Sequence, residues 1–495
     1  MNPDLLRNAS APLTAFLLGA ATVLGFGPFA LATAPVLTAA GLLWLWQRAA
    51  TPRAATVLGF GFGMGLFLGG VSWIYVSLHD IGGMPAPLAA LATTLACAFL
   101  ALFPAASGYL QAKFHAPLAA KQLLLIPALW ALVEWLRDWL FTGFPWLSLG
   151  YTQAASPLAG FAPIIGVFGL SWLIWLCAGL SLALLRANAR AAALAGLALL
   201  MAAGYGLKQL EWTQPQGAPI SVSLLQGNVP QHLKWDEARF AATLALYERM
   251  AAESTARLTI LPETAIPRFL DQLDPGFLPE LSKSARERGA DLIIGLPVRE
   301  ASGRYYNSVI SLGTAPVQRY DKAHLFPFGD YIPTGFGAIL SVLHIPLSDF
   351  SHGGTDQAPL ALAGQRIAVN ICYEDAFGEE IIRALPQASL LVNASNFAWF
   401  GDSLAPHQHL QIAQLRALET GRMMLRATNT GMTAIVDHQG KVVATLPLFT
   451  RGALNGSAQG RSGATPYVRW GNAPVVTLAL LICVLAALRR RKPAA

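Results

Sequence analysis

Charged residues are scarce in this chain of 495 residues: Asp, Glu, Lys and Arg make up 12% of it, against about 25% in soluble globular proteins. With 54% hydrophobic residues and a mean hydropathy of +0.47, most of the chain does not face water. So much apolar surface excludes intrinsic disorder. Cysteine is also rare, and four cysteines are too few for a fold of this length that is stabilised by disulfides.

The few charges are unevenly placed along the chain. Residues 212–468 hold 42 of them with a net formal charge of −2, whereas residues 1–211 carry +4 and residues 469–495 carry +5. A nucleic-acid-binding protein would concentrate Lys and Arg on its folded polar domain, and here that domain is slightly acidic. We therefore expect no nucleic-acid partner.

Apolar runs close to the length needed to span a bilayer, about 20 residues, occur eight times. Seven precede the polar region and one follows it: 11–27, 29–46, 55–76, 87–111, 122–140, 162–185, 191–208 and 472–488. Between the first two runs, Gly-Phe-Gly-Pro at 25–28 predicts a tight turn. The predicted domains are a membrane domain of seven helices (1–210), a polar domain (215–468), a C-terminal membrane helix (472–488) and a basic tail (489–495).

Basic residues cluster in loops on one side of these predicted spans. They are Arg7, Arg48, Arg53, Lys113, Lys121, Arg186, Arg190 and the tail residues Arg489, Arg490, Arg491 and Lys492. Because cytoplasmic loops are enriched in Lys and Arg, both termini are predicted to be cytoplasmic. Seven preceding spans then place the polar domain on the outer side, which in a bacterium is the periplasm or the exterior.

The polar domain alternates short β-rich runs with helical patterns, which predicts an α/β domain with mixed sheets. The predicted strands are 221–225, 258–261, 292–296, 308–312, 367–371 and 390–393, and the predicted helices are 236–254, 275–289, 379–385 and 407–422.

Three side chains that could act in catalysis follow extended runs in this domain. They are Glu263, Lys322 and Cys372, the last being the single cysteine of the polar domain. A cysteine between a strand and a helix is expected near backbone N–H groups that favour a thiolate. Together the three could share the roles that an acyl-transfer reaction needs, with Glu263 as general base, Cys372 as nucleophile and Lys322 near the developing oxyanion.

Each of these signals has a plainer interpretation when it is taken alone. A Glu or Lys after a strand is usually solvated, and a single Cys is usually packed. His407 and His409 would face different sides of a helix, so no metal site is expected, and His324 is interpreted as a structural histidine. Glu134 and Arg137, near the end of a span, could meet a phospholipid headgroup or form an internal ion pair.

The motifs around these residues resemble those of the nitrilase, or carbon–nitrogen hydrolase, superfamily: Leu-Pro-Glu at 261–263, Tyr-Asp-Lys-Ala-His at 320–324 and Cys-Tyr-Glu at 372–374. Further motifs resemble the bacterial apolipoprotein N-acyltransferase family. They are Trp-Ile-Tyr-Val at 73–76, Gly-Gly-Met-Pro at 82–85, Thr-Gly-Phe-Pro-Trp at 142–146, Gln-Gly-Asn at 226–228, Lys-Trp-Asp at 234–236 and Ala-Trp-Phe-Gly at 398–401.

This resemblance implies an αββα nitrilase-like domain on a base of eight membrane helices in a bacterial inner membrane. It implies transfer of an acyl chain from a phospholipid such as phosphatidylethanolamine, through a cysteine thioester, to the amine of the S-diacylglyceryl cysteine that begins an apolipoprotein. Glu263, Lys322 and Cys372 match the family's triad, and supporting matches are Trp235, Asn307, Asp330, Tyr373, Glu374 and Trp399. No cofactor is implied, and a monomer is expected.

One position departs from the family pattern. Many members have Glu after Pro-Phe-Gly, where this chain has Asp330. The shorter carboxylate keeps the charge but leaves open its contact with Lys322 or with substrate.

Two other functions remain open on the sequence. A membrane-anchored amidase or nitrilase would use the same triad with water in place of the amine, but one anchor would suffice for it. A transporter or lipid sensor would need polar residues at mid-membrane, and the spans are nearly free of them.

Aromatic and aliphatic residues crowd two stretches beside the predicted site: Phe326, Phe328, Tyr331, Phe336, Ile339, Leu340, Val342, Leu343 and Ile345, and then Phe397, Trp399 and Phe400. Because aromatic side chains suit the membrane interface, we expect both stretches to form mobile arms that admit a phospholipid chain. Packing within the domain, or at a subunit contact, is the alternative.

Overall fold

The computed structural model describes residues 3–332 and 349–488, which divide into two compact units. The helical unit comprises Met1–Tyr75, Ala86–Glu211 and Arg469–Ala495. The α/β unit comprises Val76–Pro85 and Trp212–Val468. The short segment Val76–Pro85 therefore belongs with the polar half of the chain, although sequence alone places it between membrane helices.

Each of the eight predicted spans overlaps a helix, although the first helix begins eight residues before the predicted span 11–27 begins and ends five residues before that span ends. The helices are Pro3–Thr22, Ala34–Arg48, Pro52–Val71, Ala86–Lys113, Ile126–Trp139, Ala162–Ala183, Arg190–Lys208 and Ala473–Leu488. The first two are separate, as the predicted turn requires, because one ends at Thr22 and the next begins at Ala34.

Within residues 3–332 and 349–488, five helical stretches are long and apolar enough to cross a membrane: Pro52–Val71, Ala86–Lys113, Leu118–Thr142, Pro157–Ala183 and Arg190–Lys208. Shorter apolar helices cover Ser10–Gly25 and Ala473–Leu488. The full count of eight membrane crossings stays a prediction.

Glycines in the helix Pro52–Val71 allow its neighbours to approach closely. A Cβ on Gly65 would lie 1.9 Å from the Phe16 carbonyl oxygen, and one on Gly59 would lie 2.4 Å from that of Pro104. Small residues let helix backbones meet in this way where no hydrophobic effect drives association.

Glu134 and Arg137 both point into the helical unit. Oε1 of Glu134 accepts hydrogen bonds from the Trp130 indole N–H at 2.8 Å and from the Leu149 backbone N–H at 2.9 Å. The Arg137 guanidinium donates to the carbonyl of Trp146. Both side chains are therefore buried inside the helical unit, where they brace the loop that follows their helix, which disfavours a headgroup contact. The ion pair between them stays a prediction.

The α/β unit contains two mixed six-stranded sheets. The first has the order β13-β2-β3-β4-β5-β6 and the second has the order β12-β11-β10-β9-β8-β7. In the first sheet, β2, β3 and β4 pair in parallel, and in the second, β8, β9 and β10 do so. Every other pair of neighbouring strands in the two sheets is antiparallel.

The strand bounds are as follows. The first sheet contains β2 (Ile220–Gln226), β3 (Leu258–Ile260), β4 (Asp291–Arg299), β5 (Tyr305–Gly313), β6 (Arg319–Asp321) and β13 (Gly452–Ala458). The second contains β7 (Leu360–Leu362), β8 (Gln365–Ile371), β9 (Leu390–Ser395), β10 (Met424–Thr428), β11 (Ala434–Val436) and β12 (Val442–Thr445). A small ladder pairs β1 (Gln214–Pro215) with β14 (Arg461–Ser462).

The main hydrophobic core lies between the two sheets, since buried residues of both, such as Leu224 and Ile260 of the first and Ile367 and Val392 of the second, form one cluster. Two further clusters line the outer faces. One joins the first sheet to the helices Glu237–Glu253 and Phe277–Glu287, and the other joins the second sheet to Gly378–Ile381 and Ala405–Thr420. These layers form the predicted αββα sandwich.

Candidate active site

The three predicted catalytic residues lie just beyond strand ends. Glu263 follows β3 after two intervening residues, Lys322 directly follows β6, and Cys372 directly follows β8. Lys322 is 2% exposed and Glu263 is 7% exposed. Ligand sites in α/β folds commonly form at the carboxyl ends of parallel strands, and β3 and β8 are both parallel strands of their sheets.

Hydrogen-bond donors surround the Glu263 carboxylate. Its Oε1 accepts from Asn307 Nδ2 at 2.8 Å and from Lys322 Nζ at 3.3 Å. Its Oε2 accepts from the backbone N–H of Asn396 at 2.8 Å. These donors hold the Glu263 carboxylate in one position beside Lys322.

Lys322 lies between two carboxylates. Nζ is 2.7 Å from Oδ2 of Asp330 and 3.3 Å from Oε1 of Glu263. Burial alone would lower the pKa of Lys322, but the charges of Asp330 and Glu263 outweigh burial and raise it above its usual range. The Lys322 ammonium is therefore a fixed positive charge, and the shorter carboxylate of Asp330 reaches it directly.

Cys372 has a strained backbone. Its φ of +53° is in the left-handed region that residues other than glycine and asparagine seldom adopt. Nδ2 of Asn393 donates to its carbonyl at 2.9 Å. This geometry turns the side chain out of the strand direction, as expected for a nucleophile between a strand and the short helix Cys372–Ala376.

The electrostatic surroundings of Cys372 differ from the expectation of a favoured thiolate. Burial raises the pKa of the thiol, and Glu263 and Asp330 raise it further, whereas Lys322 and the Asn396 N–H lower it. The net direction is upward because two carboxylates and desolvation outweigh one ammonium. The resting side chain is thus a thiol, and attack requires a base.

Glu374 connects the Cys372 loop to the Lys322 loop. Its carboxylate accepts from the backbone N–H groups of Ile371 at 2.6 Å, Ala323 at 2.7 Å and His324 at 3.0 Å. It also accepts from the Tyr320 hydroxyl at 3.0 Å. Burial raises its pKa to about 7. Its contacts make Glu374 a brace for the site.

Aromatic rings pack beside the nucleophile. Tyr373 is buried and lies edge-on to Phe326 and Phe377, with ring centroids 5.0 and 5.1 Å apart. His324 stacks on Phe377 at 3.6 Å and places Nδ1 3.2 Å from Glu380. These contacts agree with the structural interpretation of His324.

Trp235 and Trp399 are half-buried. In the part of the chain that the structure describes, no hydrogen bond or ring contact joins either of them to Glu263, Lys322 or Cys372. Asn307 and Asp330, by contrast, touch the Glu263–Lys322 pair.

The predicted aromatic arms are only partly described. Phe397 and Phe400 are 2% and 9% exposed and pack within the α/β unit, which is the alternative interpretation for those two residues. Phe328 is 38% exposed, and a contact of its ring with lipid stays a prediction. Phe336, Ile339, Leu340, Val342, Leu343 and Ile345 lie outside the described residues.

The segment Val76–Pro85 meets the turn that carries Trp399. A Cβ on Gly401, whose φ is +55°, would lie 3.1 Å from Cγ1 of Val76. Nδ1 of His79 is 2.7 Å from the carbonyl oxygen of Met84, which holds the segment in a compact loop.

Three buried charged or ionisable groups lie beneath the nucleophile loop. Nη1 of Arg426 is 2.7 Å from Oδ2 of Asp375, and Nη2 donates to Nδ1 of His409 at 2.9 Å. Because arginine only donates, the His409 proton is on Nε2, which donates to Asp375. Burial and Arg426 lower the pKa of His409 to about 4, so His409 is neutral.

A second buried lysine adjoins the site. Lys234 ends the short helix Gln231–Lys234, is 4% exposed, and donates from Nζ to the Glu263 carbonyl at 3.2 Å. In the same network, Asn396 Nδ2 donates to Oε1 of Gln231 at 2.8 Å, and Asn429 Nδ2 donates to Oδ1 of Asn396 at 3.1 Å.

Two family models match the chain. One described as the apolipoprotein N-acyltransferase N-terminal domain matches residues 18–180, and one described as carbon-nitrogen hydrolase matches residues 221–467. An apolipoprotein N-acyltransferase of Nitrosomonas europaea is 55% identical over 96% of this chain and 97% of its own length. The chain belongs to the apolipoprotein N-acyltransferase family.

Other similar proteins include an apolipoprotein N-acyltransferase of Methylococcus capsulatus, 45% identical over 98% of this chain and 97% of its own. Among solved structures, an amidase mutant of Nesterenkonia sp. AN1 covers 53% of this chain and 97% of its own, with 20% identity and a TM-score of 0.38.

Several residues of the candidate site are not predictable from the sequence. Lys234 lies in the Lys-Trp-Asp motif, whose resemblance points to its neighbour Trp235. Asn396 and His409 carry no usable signal, since asparagine is common in loops and the spacing of His407 and His409 argues only against a metal site. Their roles follow from contacts between strands and loops that are far apart in sequence.

Proposed function

We propose that this protein transfers an acyl chain from a phospholipid to the amine of the S-diacylglyceryl cysteine at the start of an apolipoprotein, through a thioester on Cys372. The observation that supports this most is a relationship to named N-acyltransferases over nearly the whole chain. The buried Glu263–Lys322–Asp330 cluster provides the acid–base and electrostatic groups that the reaction requires.

In the first half-reaction, the Glu263 carboxylate takes the proton of the Cys372 thiol. The sulfur attacks the ester carbonyl carbon, a C–S bond forms, and the oxyanion is stabilised by the Lys322 ammonium and the Tyr373 backbone N–H. The ester C–O bond then breaks, and Glu263 returns the proton to the departing lysophospholipid. Because the resting cysteine is a thiol, the base acts within this step.

In the second half-reaction, the lipoprotein amine attacks the thioester. Glu263 accepts a proton from the amine, the C–S bond breaks, and the proton passes to the sulfur of Cys372. The products are an amide and the free thiol. Water must be excluded during this interval, since it would hydrolyse the thioester.

The decisive experiment is mass spectrometry of Cys372 after incubation of the protein with phosphatidylethanolamine vesicles alone. The expected result is one acyl adduct on Cys372 and one equivalent of lysophospholipid. Addition of a diacylglyceryl peptide should remove the adduct and yield the N-acylated peptide, with the parallel-line kinetics of a ping-pong scheme.

Two outcomes would contradict the proposal. An N-acylated peptide without any adduct would indicate direct transfer, and free fatty acid without amide would indicate a hydrolase. The names of the relatives favour the transferase over the hydrolase.

For location, we propose a monomer in the bacterial inner membrane with the α/β unit in the periplasm and both termini in the cytoplasm. The distribution of Arg and Lys among the loops supports this orientation. Phospholipid and apolipoprotein would then both reach the site from the outer leaflet.

A further inference from the structure

One buried lysine beside the site has no part in the proposed mechanism. Lys234 is 4% exposed, and lysine is almost never fully buried unless it is paired. In the described residues, its hydrogen-bond partner is the main-chain carbonyl of Glu263, at 3.2 Å, and not a carboxylate. Its position is nonetheless fixed, because the short helix Gln231–Lys234 is tied to Asn396 through Gln231.

The groups around the thiol carry unequal charge. Glu263 and Asp330 contribute two negative charges, and Lys322, which touches both, contributes one positive charge. A thiolate at Cys372 would add a second uncompensated negative charge. This imbalance is consistent with the upward direction of the thiol pKa, which Glu263 and Asp330 raise in addition to burial.

Other ionisable groups near the thiol do not correct this imbalance. Glu374 is a further buried carboxyl group, and His409 beneath the loop is neutral. Arg426 is matched by Asp375 at 2.7 Å. Lys234 is the remaining buried cation that acts on the Glu263–Cys372 pair among the residues described here.

We propose that Lys234 is a positioning residue. Its positive charge compensates the excess negative charge of the carboxylates in the site and so favours the thiolate of Cys372. The inference rests on the proposed function, because it assigns Lys234 to the nucleophile of that reaction.

The charge count makes this role concrete. When the thiol proton passes to Glu263, the Cys372 thiolate, Asp330, Lys322 and Lys234 sum to zero, whereas without Lys234 they sum to one negative charge. Burial lowers the pKa of Lys234 to about 8, while Glu263 and Cys372 act to raise it. The side chain is therefore mostly charged at neutral pH and is coupled to both members of the pair.

The test is the pH profile of Cys372 alkylation by iodoacetamide in the full-length protein, with each cysteine resolved by peptide mass spectrometry. Nearby charges shift pKa values by one or more pH units, so Lys234→Met should slow alkylation at neutral pH by about tenfold, and the difference should shrink above about pH 8, where Lys234 of the wild type loses its own proton. Acyl-enzyme formation should slow in parallel, and Lys234→Arg should restore most of both.

Lys234→Gln separates charge from hydrogen bonding, since glutamine can still donate to the Glu263 carbonyl. It should behave like Lys234→Met, and a wild-type profile for the Gln variant would overturn the proposal. If the Met variant does not fold, the comparison of Gln with Arg decides the question. Lys283, an exposed helix residue, supplies the control, and Lys283→Met should leave the profile unchanged.

The alkylation readout also separates this inference from the proposed function. An unshifted profile in Lys234→Gln, with a wild type that forms the acyl-enzyme, would overturn only the role of Lys234. A wild type that forms no acyl-enzyme from phospholipid would overturn the proposed function whatever the alkylation profile shows.

Discussion

At the scale of single residues, the candidate site places a thiol that burial keeps protonated beside a carboxylate that hydrogen-bond donors hold in position. Glu263 has three such donors, from Asn307, Lys322 and the Asn396 backbone. Because burial, Glu263 and Asp330 raise the pKa of Cys372, the proton is on sulfur at rest. A protonated sulfur is also less easily oxidised, because the thiolate is the form that oxidants attack.

Replacing the nucleophile should abolish acylation without unfolding the protein. Cys372→Ala removes the attacking sulfur at little cost in core volume, and Cys372→Ser leaves a hydroxyl that a carboxylate deprotonates poorly. Both should lower the rate of acyl-enzyme formation by on the order of 10⁴-fold or more, measured by mass spectrometry with labelled phospholipid.

Cys483→Ala, in the C-terminal helix, is the matched control and should retain the full rate. Normal turnover by Cys372→Ala would rule out a thioester at this position.

Glu374 predicts a pH dependence of stability. Its folded pKa of about 7 lies above the ordinary 4.5, so the folded state binds the proton more tightly than the unfolded state. The stabilisation is therefore complete below about pH 4.5 and is lost as the pH rises through 7, by up to about 3 kcal/mol. In detergent, the wild-type Tm should fall over this interval relative to that of Glu374→Gln.

Glu287→Gln, at an exposed helix position, should track the wild type across the same range. Parallel Tm curves for wild type and Glu374→Gln would show that Glu374 does not bind its proton more tightly in the folded protein.

At the scale of elements, β4 determines the position of Glu263, because Gly295 in this strand has no side chain. A Cβ on Gly295 would lie 2.4 Å from the Pro262 carbonyl oxygen and 2.7 Å from the Thr264 backbone nitrogen. Only glycine lets the strand lie this close to the turn that carries Glu263. The position of Glu263 therefore depends on a neighbouring strand that contributes no functional group.

Gly295→Ala should push that turn away from β4 and misplace the Glu263 carboxylate. Displacements of about 1 Å can cost 10²-fold in rate, so acyl-enzyme formation should fall by at least about tenfold while the protein remains folded by circular dichroism. Gly354→Ala, whose added Cβ would meet its nearest neighbour at 3.8 Å, should be close to neutral. A fully active Gly295→Ala would show that the turn can adjust.

The elements that sequence could predict are those with strong apolar patterns. Strands β2, β8 and β9 each contain a mostly apolar segment, and their predicted and observed bounds differ by at most two residues. Strand β10 was missed because it contains Arg426, which looks exposed in sequence but is buried against Asp375. Strand β13 was missed because Gly452–Ala458 alternates small and polar residues at a sheet edge.

The same distinction applies to the candidate site. Glu263, Lys322 and Cys372 could be proposed because each follows an extended run and stands in a recognisable motif, and the structure places Glu263 and Lys322 in contact. The resting state of the thiol could not be predicted, since it depends on the balance of burial, two carboxylates and Lys322 in three dimensions.

At the scale of the whole molecule, the proposed topology predicts which parts of the chain are accessible from outside the cell. In intact spheroplasts, an added protease should cleave within the α/β unit, while tags at both termini remain protected until the membrane is permeabilised. Protection of tags is read by immunoblot, and a cytoplasmic protein serves as the control for lysis. Cleavage of a C-terminal tag from outside would contradict the orientation.

The membership of Val76–Pro85 in the α/β unit has a consequence for how such proteins can be cut and recombined. The unit is discontinuous in the gene, because the coding sequence for Ala86–Glu211 interrupts it. A fragment that starts at Trp212 therefore omits the loop that meets the Gly401 turn through Val76. Chimaeras that exchange the nitrilase-like region between relatives should therefore exchange residues 76–85 as well, since these residues belong to the same structural unit.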